Sequence, residues 1–131
     1  MKNRELKFLV GGYNVPRLLE VKGLKFDTSV GTVAITDEGE FRLVDDGVML
    51  FQYTGMKDKG GMDIYEGYVV RLFIEGDPYL YQIIWEHEHH RFGLVEADGT
   101  IEHDSWAYTP HNDFEVIGNI YEHPHLLSGG N

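Results

Sequence analysis

The segment WEHEHHRF, residues 85–92, brings three histidines and two glutamates together within five positions. On a β-strand alternate residues share a face, so the side chains of His87 and His89 would point the same way. Two imidazoles at this spacing can bind a transition metal, and His103 or Glu102 from the following segment could supply a third ligand. The pattern therefore raises the hypothesis of a metal site at His87, His89 and His103, and of a metal-dependent enzyme that uses it.

The rest of the sequence favours a structural interpretation of these histidines. They lie between two predicted strands, where connecting segments are polar. The chain has no cysteine and no His-Glu-x-x-His motif, so the patterns of thiolate zinc sites and of zinc hydrolases are both missing. Neighbouring histidines also change their charge near neutral pH without any metal. We therefore predict no catalytic residues and no resident cofactor.

A second candidate site is the glycine-rich segment GMKDKGGMDIYEG, residues 55–67. It bears a superficial similarity to a phosphate-binding loop, but a P-loop needs Gly-x-x-x-x-Gly-Lys-Ser/Thr followed directly by a helix. Here a strand is predicted to follow the glycines instead. The segment is therefore interpreted as a connection between strands, and its charged tip, Lys57, Asp58 and Lys59, is predicted to contact a partner.

The elements that would hold these residues are predominantly β-strands. Apolar and polar residues alternate with a period of two, and glycine-containing turns interrupt the alternation every 8 to 12 residues or so. No segment shows a sustained helical period. The clearest predicted strands are 32–36, 41–44, 48–53, 68–74, 79–86 and 93–96.

Two segments need separate treatment. RLLEVKGLKF, residues 17–26, fits either a pair of strands or a loop with one helical turn. The run YVVRLFI, residues 68–74, is apolar enough to predict a strand buried on both faces. We expect one mainly β domain of several antiparallel strands with little helix, spanning residues 1–127, and a disordered tail at residues 128–131.

Three parts of the chain resemble the YopX family of phage and prophage proteins. The central segment LFQYTGMKDKGGMDIYEGYVV is similar to the signature of that family, the ending FEVIGNIYEHPHLL to its closing motif, and RELKF to its first strand. The resemblance implies a small, mainly β protein of bacteriophages or Gram-positive prophages, prone to self-assembly and without an established activity. It supplies no catalytic residues. The segment from Glu66 to Glu86 is also similar to part of an SH3-like barrel.

The chain departs from the family pattern at three positions. The family usually has an acidic residue after the glycine at position 67, where this chain has Tyr68. It usually has Asn before the closing proline and Glu after it, whereas His123 and His125 flank Pro124 here. Because Asn is a good helix N-cap and His is not, we expect a weaker last turn.

The charge balance limits the classes of partner. Eleven basic residues face 22 acidic ones, which gives a formal net charge of −11. Phosphate backbones bind through Lys and Arg, so this composition disfavours nucleic acid as a partner. No apolar run reaches the ~20 residues of a membrane helix, and the start MKNRELKF lacks the apolar stretch of a signal peptide. We therefore predict the bacterial host cytoplasm and no membrane contact.

These observations lead to a ranked set of functional hypotheses. The first is a non-enzymatic binding or self-assembling phage protein that forms a homo-oligomer and contacts a host or phage protein. Its support is the resemblance and the aromatic content of seven Phe, eight Tyr and two Trp, since Tyr and Trp are enriched in interface cores. The second is an acidic decoy of a host nucleic-acid-binding or defence protein, and the third is the metal-dependent enzyme.

Overall fold

The structure is a computed structural model that describes residues 5–12, 17–45, 47–86, 91–96, 101–102 and 113–127. The described residues form twelve β-strands and one short 3₁₀ helix, Pro124–Leu127. The strands are β1 Phe8–Gly11, β2 Leu19–Glu20, β3 Gly23–Asp27, β4 Gly31–Thr36, β5 Gly39–Arg42, β6 Met49–Lys57, β7 Asp63–Tyr65, β8 Tyr68–Ile74, β9 Asp77–Glu86, β10 Arg91–Glu96, β11 Ile101–Glu102 and β12 Glu115–Asn119. Every strand pair whose register is known is antiparallel.

The chain divides into two compact units, residues 1–53 and residues 54–131. In the first unit β1 pairs with β2 on one side and with the first part of β6 on the other. A separate sheet has the strand order β3-β4-β5. The core of this unit is a small buried cluster of Val10, Leu19 and Ala34.

The ambiguous segment 17–26 forms two strands, but they do not pair with each other. Leu19 lies opposite Val10 of β1, whereas Leu24 lies opposite Ala34 of β4. The strand interpretation is thus confirmed and the helical alternative is wrong. A local pattern could not distinguish a hairpin from two strands in different sheets, because both bury alternate residues.

The second unit is built around a five-stranded sheet with the order β11-β10-β9-β8-β12. The strands β8, β9 and β10 follow one another along the chain and in space, as consecutive hairpins do. Their shared face buries one apolar cluster, and Phe114, just before β12, is fully buried in it. The other buried members are Ile64, Val70, Leu72, Tyr81, Ile83, Phe92 and Leu94.

The strand β8 is buried on both faces only over part of its length. Val69 and Val70 are neighbours, so they face opposite sides of the sheet, and both are fully buried. Phe73 and Ile74 at the end of the same strand are exposed. The prediction of burial along all of residues 68–74 is therefore wrong at its last two positions.

The fold class predicted from the alternation is confirmed. The described chain is mainly antiparallel β with one helical turn. The domain limits of 1–127 and the tail at 128–131 stay a prediction. No helix within the described segments is long and apolar enough to cross a bilayer.

Candidate functional site

The charged loop between β6 and β7 is organised by one carboxylate. Asp58 accepts hydrogen bonds from the backbone N–H groups of Gly60 and Met62, each at 2.9 Å, through Oδ1. Its Oδ2 accepts the N–H of Val116 in β12 at 2.9 Å. The backbone closes the same loop, because Asp58 N–H donates to Met62 O at 2.8 Å. One side chain therefore fixes the shape of the loop and attaches it to the edge strand of the five-stranded sheet.

The two lysines beside Asp58 also make contacts within the chain. Lys57 Nζ is paired with the carboxylate of Asp63. Lys59 donates its backbone N–H to Phe114 O at 2.8 Å, and its Nζ lies 4.0 Å from Glu115 Oε2. Both lysine side chains are more than half exposed. The loop therefore has a structural role, and its contact with a partner stays a prediction.

Two acids of this region have lowered pKa values. Partial burial acts to raise the pKa of Asp58, but the hydrogen bonds from backbone N–H groups, first that of Val116, outweigh it and hold the pKa below its usual range. The hydrogen bond from Arg71 is the main cause that lowers the pKa of Glu115, and the charges of Arg71 and Lys59 add to it. Both groups are therefore ionised at neutral pH and act as acceptors rather than as acids.

The closing motif GNIYEHPHLL folds back on itself. Asn119 Oδ1 accepts the N–H of Glu122 at 2.7 Å, and Asn119 Nδ2 donates to Glu122 Oε1 at 2.8 Å. His123 Nδ1 accepts the Asn119 N–H at 3.3 Å. A Cβ on Gly118 would lie 2.7 Å from His123 Nδ1, so only glycine leaves room for this ring. The histidine before the proline thus braces the turn that leads into the 3₁₀ helix.

Tyr68, the departure from the family pattern, is not a general acid–base group. Burial raises its pKa to about 12, and the neighbouring Tyr65, with its ring centroid 5.5 Å away, adds to the effect. A phenol with this pKa stays protonated throughout the physiological range. Its role is therefore packing beside the core cluster, against which it lies partly buried.

The β8–β9 hairpin carries three large, exposed side chains around its turn. A two-residue turn, Glu75 and Gly76, joins Ile74 to its partner Asp77, and both turn residues have positive φ, 52° and 88°. This is the geometry of a type I′ turn. Around it Phe73 is 54% exposed, Ile74 42% and Tyr79 40%. We call these three side chains the hairpin tip.

The side chains of the hairpin tip lie on both faces of the ribbon. Phe73 is opposite Pro78, and Arg71 on the same face stacks over the Phe73 ring at 5.5 Å from the guanidinium carbon to the ring centroid. Ile74 and Tyr79 lie on the other face, the one that continues into the buried core. Apolar groups on both faces at one end of a ribbon are suited to contact with another protein.

The predicted metal ligands lie outside the described residues. His87, His89 and His103 belong to segments that the structure does not describe, and only the backbone of Glu102 is described. Among the described residues no group of three or more potential ligands comes together. The metal site stays a prediction.

A shallow depression in the first unit has a volume of about 190 Å³. It is smaller than the roughly 300–1,000 Å³ of typical small-molecule sites. Ion pairs occupy its wall, with Arg17 bound to Glu38 and Lys22 Nζ 3.5 Å from Glu20 Oε2. Its size and its already paired charges do not suit a small organic ligand.

The hairpin tip is the feature that sequence reasoning missed. The apolar run YVVRLFI predicted uniform burial, yet its final residues adjoin the turn Glu75–Gly76, where a hairpin leaves the body of its sheet. The signal was available in the position of the turn. Apolar residues directly beside a two-residue turn have fewer neighbouring strands to cover them than residues in the middle of a strand.

Known proteins are similar to the chain in sequence and in fold. The profile of the YopX protein family matches residues 14–128. The structure is similar to the crystal structure of protein EF1440 from Enterococcus faecalis, with a TM-score of 0.66 and 23% identity over 96% of this chain and 100% of that one. It is also similar to the crystal structure of protein yopX from Bacillus subtilis, with a TM-score of 0.57 and 16% identity over 92% and 96% of the two chains.

No curated relative matches the chain significantly. The structural likenesses lie below 25% identity, so they support the fold alone. The family profile covers most of the sequence, including the central segment and the closing motif that resemble the family. The chain belongs to the YopX protein family.

Proposed function

We propose that the chain is a non-enzymatic binding protein that acts through protein–protein contact, first of all with copies of itself. The observation that carries this proposal is the hairpin tip of Phe73, Ile74 and Tyr79, exposed on both faces of the β8–β9 ribbon. Aromatic side chains are enriched in the cores of protein interfaces, where they bury a large area at a low cost in conformational entropy.

The setting that we propose for this activity is a phage or prophage in the cytoplasm of a bacterial host, because the resemblance of the central segment and the closing motif to the family implies it. A second partner from the host or the phage would use surfaces apart from the hairpin tip, and the charged loop of Lys57, Asp58 and Lys59 is the first candidate.

The pairing of the described cations weighs against nucleic-acid binding. Each of the eight Lys and Arg residues whose side chains are described lies within 4.0 Å of a carboxylate. A phosphate backbone needs a basic strip whose charges are available, and the described cations are already paired.

Sedimentation equilibrium over a concentration series tests the proposal. The protein is expected to form a reversible homo-oligomer that Phe73→Asp weakens by at least about tenfold, because a carboxylate would be desolvated in the contact. The matched control is Phe26→Asp in β3, which places the same substitution at a residue that is 78% exposed. A wild-type protein that stays monomeric over the whole series would refute the proposal.

A further inference from the structure

The hydrogen bonds of β4 determine which backbone groups of β3 face outward. Thr32 O accepts the N–H of Leu43 at 2.9 Å, so the backbone groups of Thr32 face β5. These groups alternate between the two sides of an antiparallel strand, so the N–H and C=O of Val33 face β3, where Lys25 lies opposite. Lys25 is therefore a residue of β3 whose backbone groups are bonded to β4.

The two neighbours of Lys25 turn their backbone groups away from β4. By the same alternation, the N–H and C=O groups of Leu24 and Phe26 lie on the outer edge of β3. The sheet has the order β3-β4-β5, and among the described strands none pairs with this outer edge. Residues 17–45, which include β3 and the connections on both sides of it, are described without a gap. Two donors and two acceptors are thus available there to a further strand.

One face of β3 carries an exposed aromatic ring beside this edge. Leu24 lies opposite Ala34 and packs against the buried cluster of the first unit. Phe26, two residues later, lies on the same face but is 78% exposed. The apolar face of the sheet therefore extends past the core that it covers. A strand added at the outer edge would bury part of the Phe26 ring.

The other face of β3 ends in an ionised carboxylate. Asp27 Oδ1 accepts the Ser29 N–H at 2.7 Å, the Ser29 hydroxyl at 2.6 Å and the Val30 N–H at 3.2 Å. These bonds, first that of the hydroxyl, lower the pKa of Asp27 below its usual range. Among the described residues none donates a hydrogen bond to Asp27 Oδ2. Lys25 Nζ, on the same face, lies 3.0 Å from Glu40 Oε1, so Glu40 matches its charge and the negative charge of Asp27 remains.

We propose that the outer edge of β3 binds an extended, basic segment of another protein, which adds to the sheet as an antiparallel strand. This edge is separate from the hairpin tip, so the inference goes beyond the proposed self-association. An apolar side chain of the added strand would lie opposite Phe26, and a lysine or arginine would lie opposite Asp27. Backbone hydrogen bonds supply affinity in this mode of recognition, and the side-chain contacts select the sequence.

Charge is the reason to assign the edge to a basic segment of a different protein. With a net charge of −11, the chain repels other acidic chains, its own copies included, and attracts cationic segments at long range. The Asp27 carboxylate acts in the same sense at short range. A second copy would bring the same acidic excess to the edge, and an acidic segment would place no cation beside Asp27.

A designed peptide and amide hydrogen exchange test the assignment. The probe is Thr-Lys-Val-Thr-Val-Lys with blocked termini, which can place its first Val opposite Phe26 and its first Lys opposite Asp27. Saturating peptide is expected to slow the amide exchange of Leu24 and Phe26 at least about tenfold, whereas the amide of Lys25, already bonded to β4, should change little. Amides of Leu24 and Phe26 that are as protected in the free protein as that of Val33 would overturn the proposal.

Methylation of single peptide nitrogens separates strand addition from side-chain attraction. N-methylation of the first Val removes a donor that would face β3, so it is expected to weaken binding at least about tenfold. N-methylation of the Thr that follows it is the matched control, because the N–H of that residue would face away from β3. Equal losses of affinity for the two peptides would overturn the strand pairing.

The charge of the peptide is tested in the same way. Replacement of both peptide lysines by glutamate keeps the alternation and reverses the charge, and it is expected to weaken binding at least about tenfold. Asp27→Asn in the protein should reduce the preference for the basic peptide, since an amide oxygen can still accept the bonds of Ser29 and Val30. Equal affinity of the wild type for the basic and the acidic peptide would overturn the assignment of a basic partner.

Two protein variants separate this inference from the proposed function. Phe26→Asp should weaken peptide binding at least about tenfold, and Phe73→Asp, the same substitution in the second unit, should leave it unchanged. For self-association the order is reversed. A monomeric wild type that binds the peptide refutes self-association alone, and self-association without peptide binding refutes the edge proposal alone. Exchange of the Leu24 and Phe26 amides that slows with protein concentration, without peptide, would place a second copy on the edge and overturn the proposal.

Discussion

At the scale of single residues, Asp58 connects parts of the chain that are far apart in sequence. Its carboxylate binds N–H groups of its own loop and of Val116, 58 positions away. A carboxylate that accepts hydrogen bonds from several backbone N–H groups replaces the hydrogen bonds that those groups would otherwise make with water. The sequence predicted this charged tip as a contact surface. Its Asp58 also holds the loop against the sheet.

Asp58→Asn should lower the free energy of unfolding by about 1–3 kcal/mol, because an amide offers one acceptor oxygen where three N–H donors need two. Urea titration at neutral pH measures the change. Asp37→Asn is the control, since the side chain of Asp37 is 85% exposed and its substitution should change stability little. A loss for Asp58→Asn no larger than the control's would show that the loop does not depend on this carboxylate.

The same variant should alter the pH dependence of stability. The pKa of Asp58 is lower in the folded protein than its value of 3.8 in an unfolded chain, so the ionised form stabilises the fold fully above that unfolded pKa. This contribution is lost as the pH falls through the folded pKa. The stability difference between wild type and Asp58→Asn should therefore be constant near neutrality and shrink below about pH 4. A difference that grows on acidification would contradict the assignment.

The histidines at positions 87, 89 and 103 allow a direct prediction at the same scale. Protein purified without a His-tag is expected to contain no stoichiometric zinc, manganese, iron or nickel, because the zinc-hydrolase pattern is missing from the sequence. Elemental analysis of the isolated protein measures this. A stoichiometric metal that is lost in a His87→Ala/His89→Ala variant would instead establish the metal site and reopen the enzymatic hypothesis.

At the scale of elements, the turn of the β8–β9 hairpin holds a residue that is poorly suited to it. Glu75 has φ 52°, and it is the non-glycine residue with positive φ among those described. The left-handed region costs an ordinary L-residue roughly 1–2 kcal/mol, whereas Asn and Gly occupy it readily. Glu75 therefore makes this turn less stable than an Asn-Gly turn would be.

Glu75→Asn is therefore expected to stabilise the folded chain by roughly 0.5–1 kcal/mol, since Asn-Gly is the preferred sequence of a type I′ turn. Thermal or urea unfolding below the self-association range measures it. Asp77→Asn removes the same charge from the same turn at a residue without positive φ, so it controls for charge. A Glu75→Asn variant that loses stability would contradict the strain argument.

The elements themselves were largely predictable, whereas their partners were not. Alternation and glycine turns located β4, β8, β9 and β10 to within about two residues, because a strand with one buried face must alternate. They did not show that β2 and β3 join different sheets, since pairing depends on contacts distant in sequence. The hydrogen bond from Val116 to Asp58 was unpredictable for the same reason.

At the scale of the whole molecule, the net negative charge acts at long range, whereas the ion pairs act only between neighbouring side chains. The described Lys and Arg side chains lie beside carboxylates, so each of these positive charges is largely neutralised at short range. At longer range the net charge of −11 remains and repels other copies of the chain. Apolar and hydrogen-bonded contact at the hairpin tip has to overcome this repulsion.

Self-association should therefore become stronger as the ionic strength rises. At about 0.15 M salt the Debye length is roughly 8 Å, and at 1 M it is roughly 3 Å, so the repulsion between copies is screened while burial of Phe73 is not. Sedimentation equilibrium in a sodium chloride series should show association several-fold tighter at the highest salt concentration.

A decoy or a nucleic-acid binder would lose its partner in the same series. Self-association that weakens with salt would mean that charge pairs hold the copies together, and apolar contact would then not be the main driving force.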